Sequence, residues 1–318
     1  MTTALYLSRR LLQALAVIVI VTIVVFCLLH ALPGGPARGV LGVTATPEQI
    51  AAFDHAQGLD RSLPVQYALE VGRLVRGDLG TSYTQNAPVA QLIAQRLPKT
   101  LVLTVASALL ALVIAIPAGM WQAARRNRPA DYLLTAISLV LYSTPVFFLG
   151  LVLIAVFTQL IPLFPAQAPS GDTLAEVFSD PAGLVLPVIT GAAAMIAVFS
   201  RFTRSAALEN LDEDYVRTAR AGGASTRAVL TRHVLRNSLT PVVAMLGYYA
   251  PVLFGGALVV EQLFNYPGMG LLFWNAAQTS DFPVLLGCVL VISVTTVVGT
   301  LIADVLQMVI DPRVKTRI

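Results

Sequence analysis

The sequence predicts an all-α membrane protein with six transmembrane helices and both termini on the cytoplasmic side, and three observations carry that expectation. The 318 residues are 56% hydrophobic and only 12% charged, about half the charged share of an ordinary soluble domain. Charge-free stretches run over 11–37, 100–124, 132–171, 181–200, 237–260 and 282–303, and each holds the about 20 apolar residues a helix needs to cross the hydrocarbon layer. With the N-terminus inside, segments 1–10, 121–131, 201–236 and 311–318 face the cytoplasm and carry 15 of the 21 Lys and Arg, while outer loops 161–182 and 261–282 carry none. That is the positive-inside bias. It accounts for the net charge of +4, so the partner of the basic residues is the lipid bilayer and no nucleic acid is expected.

Three regions follow along the chain. Residues 1–32 comprise the N-terminus and span 1, in which Arg9 and Arg10 precede the apolar run Leu11–Leu29. The run exceeds the about 7–15 residues of a signal-peptide core and has no small-x-small cleavage site at its end, so it reads as a span stopped by Pro33 and Gly34. Residues 33–98 form an outer segment, too polar for lipid and too long for a turn, that must fold. Within it, Thr46-Pro47-Glu48-Gln49 is a capping box with Pro at the first helical position, which predicts a helix over 47–57 ended by Gly58. Pro64 opens a second helix ending near Gly77, residues 77–83 read as turn, and 88–97 as a helical approach to the membrane.

Residues 99–318 hold the remaining five spans. Span 2 covers about 100–120 and turns at Arg125-Arg126-Asn127-Arg128-Pro129. Span 3 covers about 133–160, with a kink expected at Pro145. Span 4 is 182–200, span 5 lies within 239–260, and span 6 within 283–310. Between the last two, Tyr266-Pro267-Gly268-Met269-Gly270 and then Leu271-Leu272-Phe273-Trp274 read either as a short re-entrant element or as an interfacial loop.

Chemical constellations are absent. No Gly-Lys-Ser/Thr phosphate cradle occurs, the only lysines being Lys99 and Lys315, so the chain is not expected to hydrolyse ATP. Neither a Gly-x-Ser-x-Gly elbow nor a His-Glu-x-x-His pair appears. His30, His55 and His233 lie on separate segments, and Cys27 and Cys288 both sit in apolar runs, so no catalytic, cofactor-binding or metal-ligating residue is assigned. Asp304 is the one acidic residue inside a span and reads as a bundle-facing or snorkelling carboxylate rather than a proton relay.

The informative segment is 201–236, too long for a turn. Arg201, Arg204, Ala207, Leu208, Leu211 and Tyr215 recur at helical steps, Gly222-Gly223 can end that first block, and Ser225 can cap a second that carries Arg227, Arg232 and Arg236 into span 5. Charge alone leaves this a basic inner loop. Spacing adds more: Arg217-Thr218-Ala219-x-x-x-Gly223 resembles the EAA motif of ABC importer permeases. The stretch Leu208–Gly223, with Arg232-His233-Val234-Leu235-Arg236-Asn237 and Pro241, resembles the dipeptide/oligopeptide/nickel branch of that family. So do Gly58-Leu59-Asp60-Arg61, Pro64-Val65-Gln66-Tyr67, Gly77-Asp78-Leu79-Gly80-x-Ser82, Pro98-x-Thr100-Leu101, Ser143-x-Pro145-x-Phe147 and Glu261-x-x-Phe264-x-x-Pro267-Gly268-x-Gly270.

The resemblance implies a type I ABC importer permease fold in the bacterial inner membrane. It also implies four kinds of partner: a second homologous permease, two cytoplasmic ATPases that use ATP and Mg, and an extracytoplasmic substrate-binding protein. No cofactor is expected on this chain. Glu209, Asp214, Tyr215, Arg217, Ala219, Gly222 and Gly223 become the expected ATPase-coupling residues, and Glu261 and Asp281 an expected outer gate. Ser143, Thr144, Tyr248 and Tyr249 either line the path or act as polar glue between helices. Short peptides are the expected cargo, with nickel, haem or glutathione as alternatives, and a self-contained carrier as a remote one. Three departures from the branch pattern stand out: Gly34-Gly35-Pro36 replaces Gly-Asp-Pro, Gly222 replaces a Lys, and Ser280 replaces an Arg.

Overall fold

The computed structural model describes residues 3–31, 35–42, 44–171 and 173–310, and among these the only β pairing is an isolated bridge between Thr81 and Pro88. Side chains at 3–11, 14, 247, 248, 250–256, 303, 304 and 306–310 lie outside the described set. So do the expected stop at Pro33 and Gly34, the side chains of Arg9, Arg10, Asp304 and Tyr248, and the basic residues of 311–318.

Helix α1 (Thr3–His30) covers the expected span 1, and α2 (Gly35–Leu41) follows it. Helix α3 (Pro47–Gln57) begins and ends where its caps predict. The Thr46 hydroxyl accepts from Gln49 N at 3.3 Å, Thr46 N donates to the Gln49 side chain at 2.9 Å, and Gly58 takes φ 70°. The expected second outer helix is α4 (Leu63–Val75).

Further on, the structure departs from the sequence reading in three places. The helical approach over 88–97 and span 2 are one 36-residue helix, α5 (Val89–Ala124). Pro98, the tenth residue of α5, costs the helix one i→i−4 bond, yet the helix runs on through it. Span 3 is broken rather than kinked: α6 (Pro129–Ser143) and α7 (Val146–Ile154) with its π-helical extension Ala155–Leu160 meet at 104°. Pro145 both removes a donor and pushes Thr144 out of the helical region, to φ −79°, ψ 124°. After α8 (Leu174–Ser179), span 4 does not stop at Ser200 but continues as α9 (Ala182–Leu211), absorbing most of what reads as a separate first block.

Beyond α9 come α10 (Asp214–Ala221), the single turn α11 (Thr226–Ala228), a π-helical turn (Val229–Val234) and α12 (Leu235–Leu263). The 261–281 segment contains a helix, α13 (Met269–Gln278), that buries Met269, Gly270, Leu272 and Ala276, and α14 (Phe282–Ile310) ends the described chain. Among the described residues, α5, α9 and α14 are long and apolar enough to span a bilayer. Counting the pairs α1/α2 and α6/α7 as one span each raises the number to five.

The chain divides into two units. One joins the residues up to Thr100 with Pro267–Val297. Its core gathers Phe26 and Leu29 of α1, Val89 and Ile93 of α5, Met269 of α13 and Val284 of α14. The His30 ring lies 4.1 Å from that of Phe26 and 5.4 Å from that of Phe282, between centroids.

The second unit is organised around α9, which packs on α6, α7 and α12. Lipid tails are as apolar as leucine, so association here depends on close approach rather than on expelling water. Gly119 of α5 supplies that approach: a Cβ there would lie 2.6 Å from the Ser200 carbonyl oxygen. Ser138 and Ser200 share a 3.3 Å hydrogen bond between α6 and α9.

Candidate coupling site

Helix α10 is short and amphipathic. Asp214 lies in its first turn and Arg220 in its last, each where the helix dipole favours its sign. Val216 is fully buried, and Tyr215 and Ala219 pack beside it in a cluster with Met120 and Ala123 of α5, Ala207 of α9, and Val229 and Val234 of the π-helical turn before α12. The Tyr215 hydroxyl donates to the Asn210 side chain at 2.6 Å, and the Asn210 amide donates to the Ala206 carbonyl at 2.8 Å. Helix α10 is therefore strapped to the end of α9 by polar bonds and seated by apolar contacts on α5, α9 and the π-helical turn.

Its outer face is free. Glu209, Asp212, Glu213 and Asp214 are exposed at one end; Arg217, Thr218, Arg220, Gly222 and Gly223 are exposed along the rest. Arg217 and Asp214 approach to 3.2 Å but are 73% and 94% exposed, so water screens the pair and it contributes little to stability. This is a small, charged, structurally supported surface suited to docking.

The bend after α10 belongs to Gly223 alone. Ala224 N donates to Ala219 O at 3.1 Å and Gly223 N to Arg220 O at 3.0 Å, the paired bonds of a Schellman cap, with Gly223 at φ 81°. Gly222 has φ −77° and space for a side chain, a Cβ there lying 3.5 Å from the Thr218 and Ala219 carbonyl oxygens. The glycine at 222 in place of the branch's lysine therefore makes no conformational contribution. Ser225 caps the next turn, accepting from Ala228 N at 3.3 Å.

Of the expected coupling residues, Asp214, Tyr215, Arg217, Ala219, Gly222 and Gly223 lie on α10 and its cap, whereas Glu209 sits on α9. Ser143 and Thr144 occupy the corner between α6 and α7, with the Thr144 hydroxyl donating to Val140 O at 2.7 Å. Tyr249 lies on α12 with its ring 5.5 Å from that of Phe199.

Asp281 and Glu261 are both fully buried. Asp281 accepts from the Ser82 hydroxyl at 2.6 Å, the Thr84 hydroxyl at 2.9 Å, Thr84 N at 3.2 Å and Tyr83 N at 3.1 Å. It clasps the turn after Gly80 to the start of α14. The neighbouring Tyr83 phenol is pushed up to about 12, first by burial and then by the Glu70 carboxylate. Tyr266 is raised above the ordinary phenol range by burial and by Glu261.

One residue pair escaped the sequence reading. Arg204 of α9 grips Asp131 of α6 with two hydrogen bonds of 2.8 Å, Nε to Oδ1 and Nη2 to Oδ2, and Asn127 N adds a third at 3.1 Å. The partners are 73 residues apart. The available signal was an acidic residue bordering the longest charge-free run, on the side of the membrane crowded with arginine.

Helix α10 is thus a seated, charge-bearing helix beside long apolar helices. Residues 115–316 match the family described as binding-protein-dependent transport system inner membrane component, and residues 3–104 match the N-terminal family of such membrane components. The oligopeptide transport system permease protein AppB of Bacillus subtilis is 38% identical over 314 residues, covering 98% of this chain and 99% of the relative. The glutathione transport system permease protein GsiC of Escherichia coli K12 is 37% identical over 310 residues, covering 98% of each. GsiC of Salmonella typhimurium is 36% identical over the same length. The chain belongs to the ABC importer permeases of the dipeptide/oligopeptide/nickel branch, multi-pass proteins of the bacterial inner membrane that work with a substrate-binding protein and ATPases.

Proposed function

We propose that this chain is one of two homologous permease subunits of a peptide importer, and that α10 with its Gly223 cap is the element through which partner ATPases drive it. The observation that carries the reading is the pairing of a well-seated inner face of α10 with a freely exposed outer face. A docking helix has to transmit a push, and Val216, Tyr215 and Asn210 tie this one to α5, α9 and the π-helical turn that leads into α12. Six spans, both termini inside, the folded outer segment 33–98 and the core 99–318 complete the arrangement. Hydrolysis of ATP with Mg is the work of the partner subunits. The relatives named for oligopeptides and for glutathione, itself a tripeptide, support a short peptide as cargo over nickel or haem. Ser143, Thr144, Tyr248 and Tyr249 are proposed path residues. Glu261 and Asp281 shape the outer face, Asp281 by holding the 80–84 turn.

The test is on the assembled importer in proteoliposomes. A side chain at φ 81° costs about 1–2 kcal/mol and displaces the cap. Gly223→Leu should therefore keep ATPase activity while losing most ATP-driven peptide uptake, whereas Gly222→Ala should change neither. Normal uptake by Gly223→Leu would refute the coupling role. Uptake by the isolated chain without ATP would refute the whole reading.

A further inference from the structure

Arg201 and Arg204 stand one turn apart on α9, yet their circumstances differ. The Arg204 fork is occupied by Asp131, so its charge is cancelled locally. Arg201 makes no ion pair or hydrogen bond among the described residues, and it lies 19 residues beyond Ala182, at about the depth where a helix leaves the hydrocarbon layer. The Arg201 side chain is exposed, so its guanidinium is free to meet an anionic ligand.

It lines a cavity of about 440 Å³ with Val198, Phe202, Ser205 and the Asp131-paired Arg204 of α9, Thr135 and Tyr142 of α6, and Tyr249 of α12. The Thr135 hydroxyl is committed to the Asp131 carbonyl at 2.8 Å. The hydroxyls of Ser205 and Tyr142 make no hydrogen bond among the described residues, and no acidic side chain lines the cavity. It therefore offers one net positive charge, two free hydroxyl donors and aromatic walls. Its volume falls in the range of small-ligand sites, enough for two or three amino-acid residues.

We infer that this cavity is an inner-side station for the cargo's C-terminal carboxylate, held by Arg201 with help from Ser205 and Tyr142. The inference rests on the reading of the chain as a peptide permease and adds a recognised group and a residue to it. A guanidinium binds a carboxylate through charge-assisted hydrogen bonds that a neutral amide cannot replace. The free acid of a peptide is therefore bound about tenfold more tightly than its C-terminal amide.

Equilibrium dialysis on the nucleotide-free importer complex, in nanodiscs of phosphatidylcholine, measures this with tri-alanine and tri-alanine amide. The acid should bind about tenfold better; Arg201→Gln should erase the difference by weakening the acid alone, and Arg201→Lys should keep part of it. Equal binding of acid and amide, no binding of tri-alanine, or equal losses for both on Arg201→Gln would overturn the inference. So would a dependence on Arg201 that appears only when anionic lipid is present, which assigns the guanidinium to a headgroup phosphate. ATP-driven uptake of tri-alanine by the unmodified complex is measured in parallel. Its absence overturns the functional reading, whereas uptake without acid preference in the dialysis overturns this inference alone.

Discussion

Removing either partner of the Asp131–Arg204 fork should be costly, but unequally. The Asp131 carboxylate is 2% exposed and the Arg204 side chain 28% exposed. Arg204→Met leaves a carboxylate shut away from water with a single backbone donor from Asn127, the situation in which breaking a buried pair costs about 3–5 kcal/mol. Asp131→Asn keeps an oxygen for Asn127 N and leaves a guanidinium that can turn toward water, so the loss is closer to about 1.5–3 kcal/mol for charge-assisted bonds. With both changed, no charge is stranded, and the double variant should be less damaged than the sum of the singles by at least about 1 kcal/mol. Denaturant titration of the purified complex, followed by helical circular dichroism, reads all three. Equal single costs, or a double variant that simply adds within about 0.5 kcal/mol, would show that the fork is not shielded from solvent as its geometry indicates.

Two further expectations concern packing and the outer clasp. Gly119→Ala puts a methyl against the Ser200 carbonyl and the Thr203 Cβ, both 2.6 Å away, so α5 and α9 must separate at a cost of about 1–3 kcal/mol in the same titration; unchanged stability would refute the close crossing. Asp281→Asn sets an amide N–H₂ against hydrogen-bond donors of the 82–84 turn, and chymotrypsin added to the outer face should then cleave at Tyr83 faster, by about tenfold or more if one charge-assisted bond is lost. Cleavage at the parent rate would mean that the turn is held by something else.

Local rules were the most legible. The Thr46 capping box and Gly58 located α3 to the residue, because a cap is written in adjacent side chains. Pro145 was visible as a disturbance, but whether a proline kinks a span or breaks it depends on what the two halves pack against. Here α6 and α7 each find their own contact with α9. Helix α10 reads in the sequence as part of a longer block because Arg201–Tyr215 keep helical spacing across Asp212 and Glu213; the break there is a matter of backbone path, not of periodicity. Of the expected coupling residues, Asp214, Arg217 and Gly223 are exposed together, whereas Tyr215 and Ala219 are half-buried. The Asp131–Arg204 fork and the Gly119 crossing lie beyond any local signal, since each joins residues that only the fold brings together.

The π-helical turn ahead of α12 has a bearing on how this region can be recombined. Val229 and Val234 are both fully buried, although five residues of ordinary helix would point them about 140° apart. They share a side because the Leu235 N–H reaches back to the Leu230 carbonyl, accommodating one surplus residue. That residue sets the rotational phase of α12 against α10. A chimaera spliced inside 229–234 with one residue too few would turn the following apolar stripe by about 100°. Junctions for grafting a foreign docking segment therefore belong outside it.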